Sequence, residues 1–441
     1  MSLRPPDTVR KLQVALHAKA KGSPDHRFHA LYDKLYRTDI LAYAYACCEA
    51  NGGAGGVDGE EFAAIESYGR SRWLGELAAE LREKTYRPQA VRRVWIPKAN
   101  GKQRPLGIPT IRDRVVQTAA VVVLGPIFEA DLQPEQYAYR PERTAHDAIR
   151  AVHRLVNTGH TEVVDADLSG YFDSIPHAEL MKSVARRVSD GQILRLIKRW
   201  LTAAVEETDD RGHRHRTTHN KREGRGVPQG APISPLLSNL YMRRFVLGWK
   251  MLGHDRVLGA HIVNYADDFV ICCRGTAERA MTAMRSMMTR LKLTVSEEKT
   301  TTRRLPGETF NFLGYTIGRC YAPKTGRAYL GTWPSKVRVQ RVCTEISAMT
   351  SRRSLLTEDS EQVVRLNRVL RGWSNYFCLG PVSKAYRAVD AHARTRLRRW
   401  LCRKHKGSGR GYSRYPDEYL YESLGLIRLP RLTHILPWAT A

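Results

Sequence analysis

Two carboxylates, Asp267 and Asp268, stand side by side inside the otherwise apolar run HIVNYADDFVICC (261–273). Desolvating one unpaired carboxylate is costly and two neighbours repel each other, so a positive charge is expected at that spot. The stretch VVDADLSGYFDSIPH supplies three more candidates, Asp165, Asp167 and Asp173. Alternate side chains of a strand share a face, so Asp165 and Asp167 would point one way and Val164 and Ala166 the other. A fold that set Asp167 beside Asp267 and Asp268 would present an all-oxygen site of the kind magnesium prefers. Two such ions about 4 Å apart stabilise the attacking and leaving oxygens of phosphoryl transfer. An acidic turn solvated at a hairpin tip is the competing reading, and the residues alone leave both open.

Such a site needs elements to hold it. TEVVDADLSGYF (161–172) and HIVNYADDFVICC read as two apolar strand cores, and AVRRVWIPKANGKQRPLGIPTIRDRVVQ (90–117) alternates as a hairpin with its turn at KANGK. Helical stretches at 144–157 and 277–292 lie between strands. Residues 8–50 read as helices, VRKLQVALHAKAK and then FHALYDKLYRTDILAYAYACCEA. The glycine-rich NGGAGGVDGEEF (51–62) has no G-K-[ST] after it, so it reads as a turn rather than a phosphate loop, followed by helix to about residue 84. Beyond about 336 the pattern is helical and basic. The expected division is a helical N-terminal extension over 1–50, a mixed strand-and-helix region over 51–330, and a helical region over 331–441.

The 441 residues carry 72 Lys plus Arg against 44 Asp plus Glu, a net charge of +28. That excess points to a polyanionic partner, nucleic acid before an anionic membrane surface. No apolar run approaches the roughly 18 residues of a spanning helix, so no membrane partner is expected. None of the eight cysteines forms a C-x-x-C, which argues against a zinc ribbon or knuckle, and their spacing is not that of a secreted disulfide framework. The basic N-terminus lacks a secretory apolar core. A short RNA-contacting helix and an organellar transit peptide both fit it.

In series, these blocks resemble a group II intron-encoded reverse transcriptase with its maturase region. YADD within apolar residues, preceded by DADLSGYFD, looks like the catalytic pair of a reverse transcriptase. GVPQGAPISPLLSNLYM (226–242) resembles the loop-helix block of that superfamily, and PKANGKQRPLGIPTIRDRVVQ (97–117) the fingers block. LKLTVSEEKT and FNFLGYTI resemble the blocks after the catalytic turn, and LNRVLRGWSNYFCLG (366–380) the maturase-specific region. The resemblance runs from about residue 30 to 430. It implies an α+β right-hand polymerase, with fingers, a palm with an antiparallel sheet, and a helical thumb.

By that resemblance Asp167 and Asp267 are the principal metal ligands and Asp268 completes the cluster, holding two Mg2+ ions with Mn2+ as a substitute. Asp165 reads as structural support. Phe172 stands at the family's steric gate, where a ring excludes a ribose 2′-hydroxyl and favours dNTPs. Gln229 of GVPQG, whose glycines permit close backbone approach, would contact the incoming nucleotide or template pair. Lys98 and Arg104 flank the hairpin turn and suit a triphosphate. Lys299 matches a family lysine near the triphosphate and is a candidate general acid. Ser234 reads as a helix N-cap with Pro235 at the first helical position, and Leu236, Leu237, Leu240 and Tyr241 as a core stripe. Trp373, Tyr376 and Phe377 read as core.

Residues 384–414 hold eleven Lys or Arg against Asp390 alone, and Arg394, Arg396, Arg398 and Arg399 of that segment are the candidate RNA contacts. The chain stops soon after LGLIRLPRLTHILPW, so the family's C-terminal endonuclease, and with it cleavage of the second DNA strand, is not expected. The expected partners are group II intron RNA, an RNA template, a DNA primer and dNTPs. The expected place is the cytoplasm, at the nucleoid in a bacterium, with an organelle as the alternative. Two other readings stay open: a splicing cofactor whose polymerase has lapsed, and an intron-free reverse transcriptase of host repair or defence.

Overall fold

A computed structural model of the chain describes residues 3–97, 101, 103–209, 211–322, 324–407 and 409–433. In chain order the strands are β1 (Val91–Pro97), β2 (Gln103–Ile108), β3 (Glu162–Asp167), β4 (Val205–Thr208), β5 (Arg214–Thr217), β6 (His261–Tyr265), β7 (Asp268–Cys273), β8 (Thr301–Arg304), β9 (Phe310–Phe312), β10 (Tyr315–Tyr321) and β11 (Ala328–Pro334). They form three sheets, ordered β2-β1-β4-β5, β6-β7-β3-β8 and β11-β10-β9. Helices surround them, so the fold mixes helix and sheet.

The β6-β7-β3 ladder explains the apolar runs of the sequence. It is antiparallel, with Tyr265 opposite Asp268 and Asp167 opposite Asp268 at its end. One face gives Val164, Ala166, Phe269 and Ile271 to the larger core, beneath the N-terminal helices. The other gives Val163, Val263, Val270 and Cys272 to a second core, beneath β9, β10 and the C-terminal helices. A strand buried on both faces must read as a near-continuous apolar run, so each charge in it stands out.

The hairpin pairs as β1 with β2, Arg92 opposite Ile108 and Pro97 opposite Gln103. It ends earlier than the alternation suggests. Ile111–Glu129 is a helix capped by Thr110, whose side chain accepts from the Asp113 backbone N–H. Two long helical stretches are also divided. Tyr32–Leu35 and Thr38–Asn51 are separate helices, and Phe62–Tyr68 is cut from Arg70–Arg82 by Gly69 at φ 105°. Glycine adopts that backbone without the Cβ clash that other residues meet. β4, β5 and β8 to β11 carry little apolar alternation of their own and were not expected.

Ser234 is not a cap. The helix Ser234–Met251 takes Ile233 as its N-cap residue, and the Ser234 hydroxyl donates to the Pro228 carbonyl at 2.7 Å. That bond ties the helix to the preceding loop. Leu237, Leu240 and Tyr241 are buried in the core, with Leu236 half-buried against it. After β11 the chain runs through three helices, Lys336–Met349, Asp359–Tyr376 and Ser383–Lys404, which pack around Ile346, Leu366, Leu370, Leu397 and Trp400. Trp373 and Phe377 are buried there, and the Tyr376 hydroxyl donates to the Leu313 carbonyl at 2.8 Å.

Candidate active site

The turn between β6 and β7 puts Ala266 at φ 59°, the left-handed conformation of a two-residue connection, and delivers Asp267 and Asp268 at the sheet's end. Strand alternation places Asp165 and Asp167 on one face of β3, and Asp268 faces the same way as Val270 and Cys272. Burial first, then the charges of Asp165, Asp267 and Asp167, push the Asp268 carboxyl up to about 7. Asp165 is pushed up to about 6 by burial, with Asp167 adding to it and Arg303 opposing. The site is therefore short of positive charge.

One cation is already present. Lys299 Nζ donates to Asp167 Oδ2 at 2.5 Å, and that bond, more than any other cause, raises the lysine above its ordinary value. The segment carrying Lys299 is laid against Asp167 by backbone pairing. Ser296 N–H donates to the Asp167 carbonyl at 2.8 Å, Ser169 N–H to the Thr294 carbonyl at 2.9 Å, and Asp167 N–H to Thr300 Oγ1 at 3.3 Å. Among the described residues no three His, Cys, Asp or Glu are disposed to hold a metal ion as they stand. In type and charge, however, an all-carboxylate set that raises one of its own members fits a hard divalent cation.

Beside the carboxylates lies a cavity of about 570 Å³, lined among others by Arg104, Leu106, Tyr139, Phe172, Gln229 and Gly230. Here the structure brings together residues far apart in sequence. Arg104 Nε donates to Gln229 Oε1 at 2.9 Å, and Gln229 Nε2 donates to Asp173 Oδ2 at 3.3 Å. The Gln229 carbonyl accepts from Gly107 N–H at 2.6 Å, which locks the loop to β2. Gly230 has φ 107°, and a Cβ there would meet the Gly107 carbonyl oxygen at 2.7 Å and Leu106 Cδ1 at 2.9 Å. Only glycine fits that approach without strain. Phe172 follows the left-handed Gly170 in the short helix Tyr171–Ser174, mostly buried but on the cavity wall. Lys98 lies outside the described residues.

Sequence reasoning missed Tyr139. It has φ 56° and is 57% exposed although aromatic. Partial desolvation, then the charge of Asp267, raises its hydroxyl, while Arg104 opposes. A bulky residue in the left-handed region stores strain that is common at functional sites. YAYRPERT carries no periodicity that would have flagged it.

Three of the four expected RNA-contacting arginines are structural. Arg398 is 2% exposed, pairs with Asp417 and donates through Nε to the Tyr415 carbonyl at 2.8 Å. Arg394 pairs with the same Asp417. Arg396 donates to Thr350 Oγ1 at 2.9 Å and to the Ser347 and Thr350 carbonyls at 2.8 and 3.1 Å. These bonds staple the helix Ser383–Lys404 to its neighbours and leave little for a phosphate. Arg399 alone of the four is exposed, with no ion pair among the described residues.

Residues 96–317 match the family model described as reverse transcriptase (RNA-dependent DNA polymerase), and residues 339–415 match the group II intron maturase-specific domain. Protein YkfC of Escherichia coli is 33% identical over 354 residues, 70% of this chain and 88% of that protein. The group II intron-encoded protein LtrA of Lactococcus lactis is 33% identical over 231 residues, 52% of this chain but 37% of that protein. Nuclear intron maturase 2, mitochondrial, of Arabidopsis thaliana is 26% identical over 209 residues, 43% of this chain and 28% of that protein. The chain thus aligns with less than half the length of these two intron proteins.

Proposed function

The chain belongs to the reverse transcriptases of the group II intron type, RNA-directed DNA polymerases joined to a maturase-specific domain, and from that premise we propose how it works. It extends a DNA primer on an RNA template with dNTPs, and it binds group II intron RNA to assist splicing and mobility. Its β1-β2 hairpin and neighbouring helices act as fingers, the β6-β7-β3-β8 sheet as palm, and the helices from Lys336 onward as thumb. Residues 1–50 are a helical extension, with boundaries near 50 and 330. A polymerase with these partners works where its RNA and DNA lie, which puts it in the cytoplasm, at the nucleoid of a bacterium.

The observation that carries the polymerase reading is Asp167 directly opposite Asp268 across β3 and β7, with Asp267 in the adjoining turn. Asp167, Asp267 and Asp268 would hold two Mg2+ ions, which when bound polarise the phosphoryl group and lower the barrier to attack by the primer 3′-hydroxyl. The protein's own residues orient the nucleotide. Arg104 and Gln229, already bonded to each other, would turn to the triphosphate and base pair. Phe172 would exclude a 2′-hydroxyl. Lys299 would leave Asp167 when the cations arrive, placing its ammonium beside the triphosphate as a proton donor to the leaving pyrophosphate.

The test is primer extension by Asp267→Asn, beside the wild type, on an RNA template with magnesium. Losing one charge of the cluster abolishes extension while RNA binding and the thermal midpoint stay near wild type. Full-rate polymerisation by that variant would overturn the assignment of the site.

A further inference from the structure

Away from the carboxylates, the turn joining the helices Lys336–Met349 and Asp359–Tyr376 opens on a cavity of about 700 Å³. Gln362 lines it and is 1% exposed. Its Nε2 donates to the Met349 carbonyl at 3.0 Å, which fixes the amide's orientation, but its Oε1 has no donor among the described residues. Buried amide oxygens are almost always satisfied, so an orphan beside a cavity points to a group that arrives from outside. Arg352 and Arg353 stand exposed on the rim, and neither makes an ion pair among the described residues. Ala348 and Met349 give an apolar wall.

The structural arginine of the next helix explains why this turn can accept an anion. The last carbonyls of a helix carry partial negative charge and repel one. Arg396 covers those of Ser347 and Thr350. The turn's far side is fixed as well: Trp400 Nε1 donates to Ser354 Oγ at 3.0 Å and Lys404 Nζ to the Thr357 carbonyl at 2.7 Å. Arg352 and Arg353 are therefore presented on a held frame. Leu356, 98% exposed, projects from the same turn.

The occupant must bring an anion for two guanidinium groups, a hydrogen-bond donor for Gln362 Oε1, and an apolar face for Ala348 and Met349. Inorganic phosphate lacks the face. A duplex buries its bases and offers no ring for the cavity. An unstacked ribonucleotide has all three: a phosphate, a base, and a donor in its 2′-hydroxyl or exocyclic amine. We propose that this cavity holds one unpaired nucleotide of the RNA bound by the maturase-specific domain, with its phosphate on Arg352 and Arg353 and a donor on Gln362. The inference rests on the RNA-binding reading of that domain.

The experiment uses the full chain and a short single-stranded oligoribonucleotide bearing 4-thiouridine. Irradiation of the wild-type complex is expected to crosslink the RNA to the peptide spanning 348–365. In anisotropy titrations across a salt series, Arg352→Gln/Arg353→Gln should weaken binding by at least about tenfold. Its log-log salt slope should be shallower by about 0.7, the value for one single-strand phosphate. Gln362→Met keeps the slope but loses the preference for the ligand's donor. The DNA version of the oligomer and a uridine-only RNA assign that donor to the hydroxyl or the amine. If Gln362→Met fails to fold, the crosslink and the double variant still decide. Crosslinks confined to other parts of 339–415, with affinity unchanged in the double variant, would overturn the pocket while leaving the domain's RNA binding intact. No crosslink anywhere in 339–415 would overturn the RNA-binding reading itself.

Discussion

Arg398 and Arg399 are neighbours of identical charge, and the fold assigns them opposite fates. Arg398→Gln removes a buried guanidinium bonded to the Tyr415 carbonyl and to Asp417, and stacked at 4.3 Å over the Tyr412 ring. The loss is smaller than the 3–5 kcal/mol of a stranded buried charge, because Asp417 is 38% exposed and keeps Arg394 as a partner. What remains is one hydrogen bond to a charged donor plus lost packing, about 2 kcal/mol. For a chain of this size, with an unfolding entropy of about 2.1 cal/mol/K per residue, that lowers the thermal midpoint by roughly 2 °C. Arg399→Gln touches an exposed side chain and should change stability by less than about 0.5 kcal/mol. Its signature is in binding: if Arg399 meets a phosphate, the salt slope for single-stranded RNA becomes shallower by about 0.7. The assay is a thermal melt and an RNA titration at several salt concentrations for both variants and wild type. An Arg398→Gln protein with an unmoved midpoint and a shallower salt slope would refute the assignment of Arg398 to the scaffold.

Three further outcomes follow from the same geometry. Phe172→Val should raise the efficiency of GTP relative to dGTP on one template, since a smaller side chain leaves room for the 2′-hydroxyl; an unchanged ratio would make Phe172 packing only. Gly230→Ala forces a Cβ into the Gly107 carbonyl and strains a backbone at φ 107°, so extension at limiting dNTP should drop by an order of magnitude or more, roughly 1–3 kcal/mol; a wild-type KM for dNTP would show that the β2 contact is dispensable. His153 is held below its ordinary value by desolvation while bonded to Thr332 Oγ1 at 3.0 Å. A histidine with a depressed folded pKa gives stability that is present above the unfolded value near 6.5 and is lost as pH falls below it. The fall in thermal midpoint between pH 7.5 and pH 5.5 should therefore be smaller in His153→Gln than in wild type, and equal falls would show that His153 takes up its proton without penalty.

How much of this was legible in the sequence depends on how local each cause is. The paired strands were legible because β3 and β7 are buried on both faces, so carboxylates interrupt an apolar run and announce themselves. The β1-β2 hairpin was legible for its alternation, but its end was not, because a single capping threonine at 110 turns IRDRVVQ into helix. The bond between Arg104 and Gln229 joins residues 125 positions apart, and neither local pattern specifies the other. Tyr139 owes its place to a left-handed backbone imposed by its surroundings, which no spacing encodes.

The basic segment shows what a count of charge leaves out. Counting charge over 384–414 stops three residues short of Asp417, the carboxylate that takes both Arg394 and Arg398. The backbone carbonyls that take Arg396 lie 46 and 49 positions upstream. A window can count cations, but availability is a property of the folded surface, since a guanidinium that has already found an acid or a helix end has little left for phosphate. Arg399 stays available on its helix, and so do Arg352 and Arg353, the last two in a turn whose sequence, TSRRSLLTEDS, looks like an ordinary polar loop. Arg396 supports that turn through its bonds to Ser347 and Thr350. A basic helix thus serves as the frame for binding residues that belong to another element.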